Sequence, residues 1–168
     1  MTELAALPSR TLPPQPVAPP DAPASIPTRF GELAVSPERL IAFPSGVLGF
    51  AECQRYALAD LPDPQVVFRL LQSVDAPELA FLVLPLDPVA GPIGRCDLEL
   101  ACRELGFEWQ TLVVLGIVTI RSDPDGVRFS INLKAPLLID SRRQVGRQHV
   151  FASEAYPLRH DLPRAHAA

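Results

Sequence analysis

The chain has 168 residues, of which 48% are hydrophobic and 20% charged, so it can bury a sizeable core and form one domain, with or without a tail. Its formal net charge is −4 and its pI about 5.3, which argues against a primary binder of nucleic acid or of anionic membrane, because both need a basic surface. The sequence contains no run of about 18 consecutive apolar residues, the length needed to span a membrane. Its N-terminus lacks the basic and apolar regions of a signal peptide.

The first segment is rich in proline. Residues 1–27 hold eight of the twenty prolines, and we expect them to form an extended, mobile tail without helix or strand. The tail could bind a proline-recognising groove, although a passive extension is the simpler interpretation. We place the folded domain at residues 28–162 and a frayed C-terminus at 163–168.

From Phe30 onward the sequence favours short β-strands separated by breaks that contain proline or glycine. The predicted strands are 29–35, 39–43, 54–60, 65–72, 79–85 and 144–151. Many short strands with tight connections are typical of an antiparallel sandwich or a small barrel. The predicted fold is therefore mostly β, a small antiparallel β-barrel-like domain with one short helix.

The one predicted helix lies in DLELACREL. Leu98, Ala101, Cys102 and Leu105 recur at helical spacing and form one apolar stripe. Asp97 is the expected N-cap, Gly106 the expected end, and Glu99 with Arg103 an expected i,i+4 ion pair. Cys102 belongs to the stripe, so we interpret it as a core residue rather than a reactive thiol.

A β-hairpin follows the helix. The apolar strand 111–120 is joined to a return strand by the turn residues 123–126. In the return strand Val127, Phe129, Ile131 and Leu133 are predicted to point inward and Arg128, Ser130 and Asn132 outward. Gly116 indicates a bulge or a close backbone approach, as at a barrel corner.

INLKAPLLID, residues 131–140, reads as an apolar strand interrupted by a proline. Pro136 has no N–H for a sheet ladder, which predicts an edge strand or a bulge. Such an edge could be covered by a loop of the same chain. Alternatively it could be a docking site for a segment of a partner.

No catalytic or metal-binding pattern stands out. The chain lacks H-x-x-x-H, C-x-x-C, G-x-S-x-G, P-loop and G-x-G-x-x-G spacings, so we expect no enzyme activity, no metal and no cofactor. The chain has three cysteines, Cys53, Cys96 and Cys102. Their odd number and the lack of a metal-binding or disulfide spacing fit a reducing cytoplasm. Residues 52–125 hold twelve Asp and Glu against five Arg, a net charge of −7. This is either ordinary solvated surface or an acidic face for a basic partner.

Several motifs resemble the FliW family of flagellar assembly factors and occur in the order seen there. They are FGEL (30–33), IAFPSGVLGF (41–50), LLQSVDAPELAFLV (70–83), LGIVTI (115–120), INLKAPLLID (131–140) and YPLRH (156–160). The resemblance implies a cytoplasmic, non-enzymatic β-barrel-like protein that binds CsrA, a basic dimeric translational regulator, and keeps it from messenger RNA. It also implies that flagellin binds the same protein in competition with CsrA. No direct contact with nucleic acid, membrane or a small-molecule substrate is expected.

Outward positions within these motifs and around the helix are the predicted partner contacts. They are Gln72, Asp75, Glu78, Glu99, Glu104, Glu108, Asn132, Lys134, Leu138, Arg159 and His160. For each, plain solvated surface is the competing interpretation, and for Asn132 it is a structural hydrogen bond. Arg159 and His160 could equally cap the fold, and Tyr156 with Pro157 is expected to pin the C-terminus to the core.

Two other functional classes stay open at this point. One is a small β-barrel carrier or enzyme with a flavin or similar ligand between its strands. The other, an RNA binder with an OB-like barrel, is disfavoured by the acidic pI and by aromatic residues without basic neighbours.

Overall fold

A computed structural model describes residues 25–28, 31–61 and 67–163 of the chain. In these ranges the strands are β1 (Ser25–Thr28), β2 (Gly31–Ala34), β3 (Leu40–Ala42), β4 (Arg55–Asp60), β5 (Arg69–Ser73), β6 (Ala80–Leu86), β7 (Leu112–Asp123), β8 (Gly126–Ile131), β9 (Leu137–Asp140), β10 (Val145–Gln148) and β11 (His160–Asp161). One α-helix, α1, spans Arg95–Leu105, and short 3-10 turns occupy Pro37–Arg39 and Trp109–Thr111. Among the described residues no helix is long and apolar enough to cross a membrane.

Seven strands form a sheet that closes on itself. The hydrogen-bonded order is β7, β6, β5, β4, β3, β10 and β9, and β9 pairs back with β7. All neighbours are antiparallel except β3 and β10, which meet at Ala42 and Val145. The prediction of a mostly β, barrel-like domain with one short helix is confirmed. Strands β8 and β11 continue from β7 outside the ring, and β1 and β2 form a separate hairpin.

Both faces of the barrel wall are covered. Neighbouring residues of a strand point to opposite faces, so Leu115 of β7 and Leu137 of β9 lie inside while Val114 and Leu138 lie outside. The interior cluster includes Ile41, Phe43, Tyr56, Leu71, Val83, Leu115, Leu137 and Ile139. The outer cluster joins the wall to α1 and to the C-terminal segment, and includes Leu98, Cys102, Val114, Leu138, Phe151 and Tyr156.

Gly146 of β10 shows how tightly the interior is packed. A Cβ at this position would lie 2.5 Å from the ring of Phe43, which is fully buried. Real Cβ atoms do not approach that closely, so only glycine lets the ring lie against the strand. The prediction of a bulge or a close backbone approach at Gly116 is wrong, because a Cβ there would meet only side-chain atoms, at 3.4 Å and beyond. Gly116 lies in regular register opposite Leu84, without a bulge, at the point where β7 exchanges β9 for β8 as its partner.

The prediction of an edge strand at residues 131–140 is wrong. Strand β8 ends at Ile131, the chain turns, and β9 begins after Pro136. Strand β9 lies between β7 and β10, and all four of its residues are buried. Pro136 lies just before β9, so its missing N–H does not remove a hydrogen bond from the pairing of β9 with its neighbours. Its carbonyl accepts a hydrogen bond from the His149 N–H at 3.0 Å. An unbroken apolar run here marks a strand buried on both faces.

The N-terminal boundary also differs from its prediction. Strand β1 begins at Ser25, so residues 25–27 are strand rather than tail. Ile26 is 3% exposed and packs with Val35 against Ala57 of β4, which explains why a proline-containing segment is held in a strand here. The rest of the predicted tail, and residues 164–168 of the predicted frayed end, lie outside the described residues.

Two details of the helix prediction are wrong and one is confirmed. The N-cap is Gly94 rather than Asp97, and the ion pair joins Arg95 to Glu99 at 2.8 Å rather than Glu99 to Arg103. Asp97 lies inside the first turn, where its carboxylate meets the positive end of the helix dipole. The predicted end at Gly106 is confirmed, since this residue has the left-handed φ of +68° that glycine tolerates.

The hairpin pattern is confirmed at Ile131, Leu133 and the exposed Arg128 and is wrong at Val127 and Ser130. Ile131 and Leu133 are buried as predicted, but Val127 is 52% exposed. Ser130, predicted to be outward, is 6% exposed because β11 lies beside it and pairs with it through Asp161. The outer end of the β7–β8 hairpin therefore extends beyond the barrel.

Candidate partner-binding surface

Ten of the eleven predicted contact residues fall into three separate places. Gln72, Asp75 and Glu78 belong to the β5–β6 turn, and Glu99, Glu104 and Glu108 to α1 and the segment after it. Asn132 and Lys134 lie in the β8–β9 connection beside Arg159 and His160, because Pro157 O accepts hydrogen bonds from Leu133 N and Lys134 N at 3.1 and 3.2 Å. Leu138 lies in the core at 0% exposure, so its prediction as a contact is wrong.

Gln72 is a structural residue of the β5–β6 turn and not an outward contact. Its side chain is fully buried. The amide Nε2 donates to Pro77 O at 2.9 Å and lies 3.0 Å from both Ser73 O and Leu79 O. Three turn carbonyls therefore converge on one side-chain amide, which holds the turn in shape.

Asp75 ties the same turn to the start of β4. Its Oδ2 accepts the backbone N–H groups of Gln54 and Arg55, both at 2.8 Å. Its Oδ1 accepts Arg55 Nε at 2.8 Å and lies 2.7 Å from Nη2. Burial raises the pKa of Asp75, but the hydrogen bonds from Arg55 and Gln54 outweigh this and hold its pKa below the usual range. Asp75 is thus hydrogen-bonded to the fold although, like neighbouring Glu78, it lies at the exposed surface.

Asn132 and Lys134 stabilise the β8–β9 connection. Asn132 Oδ1 accepts the N–H of Ala135 at 2.9 Å, which is the structural hydrogen bond considered for it. Lys134 Nζ donates to Ser153 O at 3.0 Å and lies 3.3 Å from Ala152 O, so only 21% of its side chain is exposed. Both side chains are occupied inside the fold.

The acidic residues around the helix are interspersed with arginine. Glu99 pairs with Arg95 at 2.8 Å, and Glu108 lies 3.6 Å from Arg142. Elsewhere in the acidic stretch, Asp60 is shared by Arg39 and Arg69 at 2.8 and 3.2 Å. The sequence excess of −7 therefore does not form a uniform acidic face. Glu104 is exposed and, within the described residues, has no ion pair.

Tyr156 pins the C-terminal segment to the start of α1, as expected. Its hydroxyl accepts the N–H of Gly94 at 3.0 Å and donates to Asp97 Oδ2. Burial raises the pKa of Tyr156, and the hydrogen bond to Asp97 raises this pKa further. The aromatic ring packs on Phe151, with 5.0 Å between ring centroids.

The arrangement offers little chemistry. No group of three His, Cys, Asp or Glu side chains that could hold a metal occurs in the part of the chain that the structure describes. Burial raises the pKa of Tyr56 inside the barrel to about 12 and raises the pKa of the Cys102 thiol, so neither group is set for acid–base or nucleophilic work near neutral pH.

Residues of the interior cluster reach the surface at the mouth of the barrel. A cavity of about 210 Å³ opens there, with Ile41, Val113 and Ile139 among its lining residues. Drug-sized ligands occupy pockets of about 300–1,000 Å³. With the interior filled by aromatic and aliphatic side chains, this packing disfavours a flavin between the strands.

Sequence reasoning missed a second feature, a groove of about 480 Å³ along the β7–β8 hairpin. Arg121, Arg128 and Arg159 line it together with Asp123 and Asp161. Each strand separately reads as ordinary solvated sequence. Only the register, which sets Arg121 opposite Arg128, and the return of the C-terminal segment beside β8 bring the three arginines together.

Comparisons with known proteins agree on one family. A family model described as "FliW protein" matches residues 25–162 of the chain. The chain is 35% identical to the flagellar assembly factor FliW of Geobacter sulfurreducens over 137 residues, 79% of this chain and 82% of that protein. It is 30% identical to the flagellar assembly factor FliW of Natranaerobius thermophilus over 142 residues, 79% of this chain and 87% of that protein. A crystal structure of the flagellar assembly factor FliW matches the fold with a TM-score of 0.66 at 23% identity, over 84% of this chain and 99% of that one.

Proposed function

This chain belongs to the FliW family, and on that premise we propose that it is a non-enzymatic flagellar assembly factor that binds and antagonises the regulator CsrA and is itself sequestered by flagellin. Under this proposal the two partners exclude each other. Free flagellin withdraws the antagonist, and CsrA then represses flagellin translation. Export of flagellin releases the antagonist again, so translation follows export.

The observation that carries the proposal is the extent of the family match. It runs from residue 25 to residue 162, which takes in every strand from β1 to β11 and the helix. The resemblance is therefore to the whole domain and not to an isolated motif. Because the interior is filled by apolar side chains and the side chains of Asn132 and Lys134 are hydrogen-bonded within the fold, we propose that partners bind at the exposed surface.

Glu104 and Glu108 are two acidic candidates at and just after the C-terminal end of α1. Both are exposed, and the carboxylate of Glu108 lies 3.6 Å from Arg142, where solvent screens the pair. A basic CsrA surface would be attracted to these two carboxylates, and RNA bound nearby would be repelled by them. They support contact at the end of α1.

The test is a competition experiment with purified CsrA and a labelled messenger RNA leader that it binds. The proposal predicts that the unmodified protein displaces the RNA from CsrA. The Glu104→Lys, Glu108→Lys double variant should need a higher concentration to displace it, most clearly at low salt. The matched control is Glu52→Lys with Glu78→Lys, the same charge change at exposed positions near the β5–β6 turn. RNA that stays bound at saturating parent protein would refute the antagonism. Loss of activity in the control alone would move the interface to the β5–β6 turn.

A further inference from the structure

Strand β7 is longer than the barrel needs. Its twelve residues pair with β6 only from Val114 to Ile117. Beyond Ile117 the strand continues to Asp123 with β8 as its sole neighbour among the described residues. Over residues 119–122 the side of β7 that faced β6 therefore has no strand beside it among the described residues, and we call this side the open edge of β7.

Two hydrogen bonds fix which backbone groups lie on that edge. Asn132 N–H donates to Ile117 O at 2.9 Å, and Leu162 N–H donates to Phe129 O at 2.9 Å. Since backbone groups alternate in direction along a strand, Thr119 and Arg121 turn theirs towards β8. Ile120 and Ser122 turn theirs to the open side, where the described part of the chain supplies no partner.

The two faces beside this edge differ in chemistry. On one face Ile120 is 54% and Val127 52% exposed, and they continue into Phe129, whose ring centroid lies 5.2 Å from that of Phe68. The opposite face carries Arg121 and the groove described above. A strand added here would place alternate side chains on an apolar surface and on a basic one.

The arginines on the basic face are not fully neutralised. Arg128 pairs with Asp123 at 2.5 Å, whereas Arg121 and Arg159 have no ion pair within the described ranges. Arg121 stands directly opposite Arg128, and like charges in that position are unfavourable unless an anion meets them. The groove thus has a basic excess, three arginines against two aspartates.

We propose that the open edge of β7 binds an extended segment of a partner protein by strand addition, and that this segment alternates apolar with acidic side chains. Its backbone would pair with Ile120 and Ser122, its apolar side chains would cover Ile120, and its carboxylates would meet Arg121. This inference goes beyond the proposed function and does not depend on CsrA or flagellin.

Two other occupants of the open edge are considered, a second copy of this chain and residues 1–24 of the same chain, and the charges argue against both. A second copy joined edge to edge in antiparallel pairing would bring the arginines of both grooves onto one face, where they would repel each other. Residues 1–24 of the same chain carry seven prolines and only two acidic residues, Glu3 and Asp21, so no stretch of this segment alternates apolar with acidic side chains.

The probe is a capped, fluorescent nine-residue peptide of alternating Val and Glu, titrated with the full chain and followed by anisotropy. A Val–Lys peptide tests charge, and a Val–Glu peptide N-methylated on one edge tests backbone pairing. We expect the two controls to bind about tenfold more weakly, the effect of losing roughly one good hydrogen bond or charge contact. Equal binding of all three peptides, or no binding of Val–Glu up to millimolar protein, overturns the proposal and leaves Arg121 as a guard against strand addition.

Matched variants locate the site. Ser122→Pro removes an N–H that points away from β8, so it should weaken Val–Glu binding about tenfold without breaking the hairpin ladder. Val127→Pro makes the same change on the opposite edge of the hairpin and should bind as the parent does. Arg121→Glu should reverse the preference towards Val–Lys. Parent-like binding by Ser122→Pro contradicts the site. Self-association in sedimentation that Ser122→Pro abolishes contradicts the choice of occupant.

Discussion

Asp75 was predicted as a partner contact, but its hydrogen bonds identify it as a stabilising residue, and Asp75→Ala separates these roles. The substitution removes the acceptor of two backbone N–H groups at 2.8 Å, each worth about 1 kcal/mol or somewhat more because the acceptor is charged. The Arg55 side chain is 55% exposed, so its ion pair adds only about 0.5 kcal/mol. The expected loss in the free energy of unfolding is about 2–3 kcal/mol.

For a domain of this size that loss corresponds to a Tm lower by roughly 10 °C, measured by circular dichroism or calorimetry. Glu78→Ala is the matched control, since it changes an exposed carboxylate in the same turn and should cost less than about 0.5 kcal/mol. A variant at Asp75 that melts like the parent yet loses CsrA binding would refute the structural role.

The same carboxylate predicts a pH dependence. The folded-state pKa of Asp75 is lowered by its hydrogen bonds, so its contribution is fully present above the unfolded-state pKa of about 3.9 and is lost as the pH falls through the folded value. The difference in the free energy of unfolding between the unmodified protein and Asp75→Ala should therefore become smaller below about pH 4. A gap that stays constant down to pH 2 would contradict this.

Three further predictions concern the core and its tyrosines. Leu138→Glu places an unpaired charge at a position with 0% exposure and should cost about 4 kcal/mol or more, seen as loss of cooperative melting; a folded variant defective only in binding would restore the docking interpretation. Tyr156→Phe removes the hydroxyl that Gly94 and Asp97 share and should cost about 1–2 kcal/mol in chemical denaturation, with Leu158→Ala, 66% exposed, as a control that should melt like the parent. Because burial raises the pKa of Tyr56 to about 12, the neutral phenol stabilises the fold up to about pH 10 and this contribution is lost as the pH rises towards the folded value; phenolate absorbance below pH 10 would contradict its burial.

The strands were predictable because their signals are local. The segment predicted as 54–60 is Arg55–Asp60, and that predicted as 79–85 is Ala80–Leu86, since alternation and flanking turn residues reflect a local backbone period. The prediction of an edge strand at β9 failed because the apolar run there does not alternate between apolar and polar residues. From sequence alone, a strand covered on both faces cannot be told from an edge covered by a loop.

Contact residues were harder to predict because the role of a polar side chain depends on distant neighbours. Gln72 looks like a surface residue but is buried, and exposed Asp75 binds Arg55, twenty positions earlier in the chain. Lys134 is held by carbonyls at residues 152 and 153. Charge signs can be read along a sequence, but the pairing that neutralises them is set by the sheet register.

The proposed exchange of CsrA for flagellin is tested most directly by size-exclusion chromatography with light scattering. This protein is first mixed with CsrA from the same organism, and flagellin is then added. We predict a stable complex with CsrA that flagellin dissolves, giving a new complex of flagellin with this protein and free CsrA. A CsrA complex that persists at saturating flagellin would contradict the feedback. No complex with either partner would contradict the proposed function.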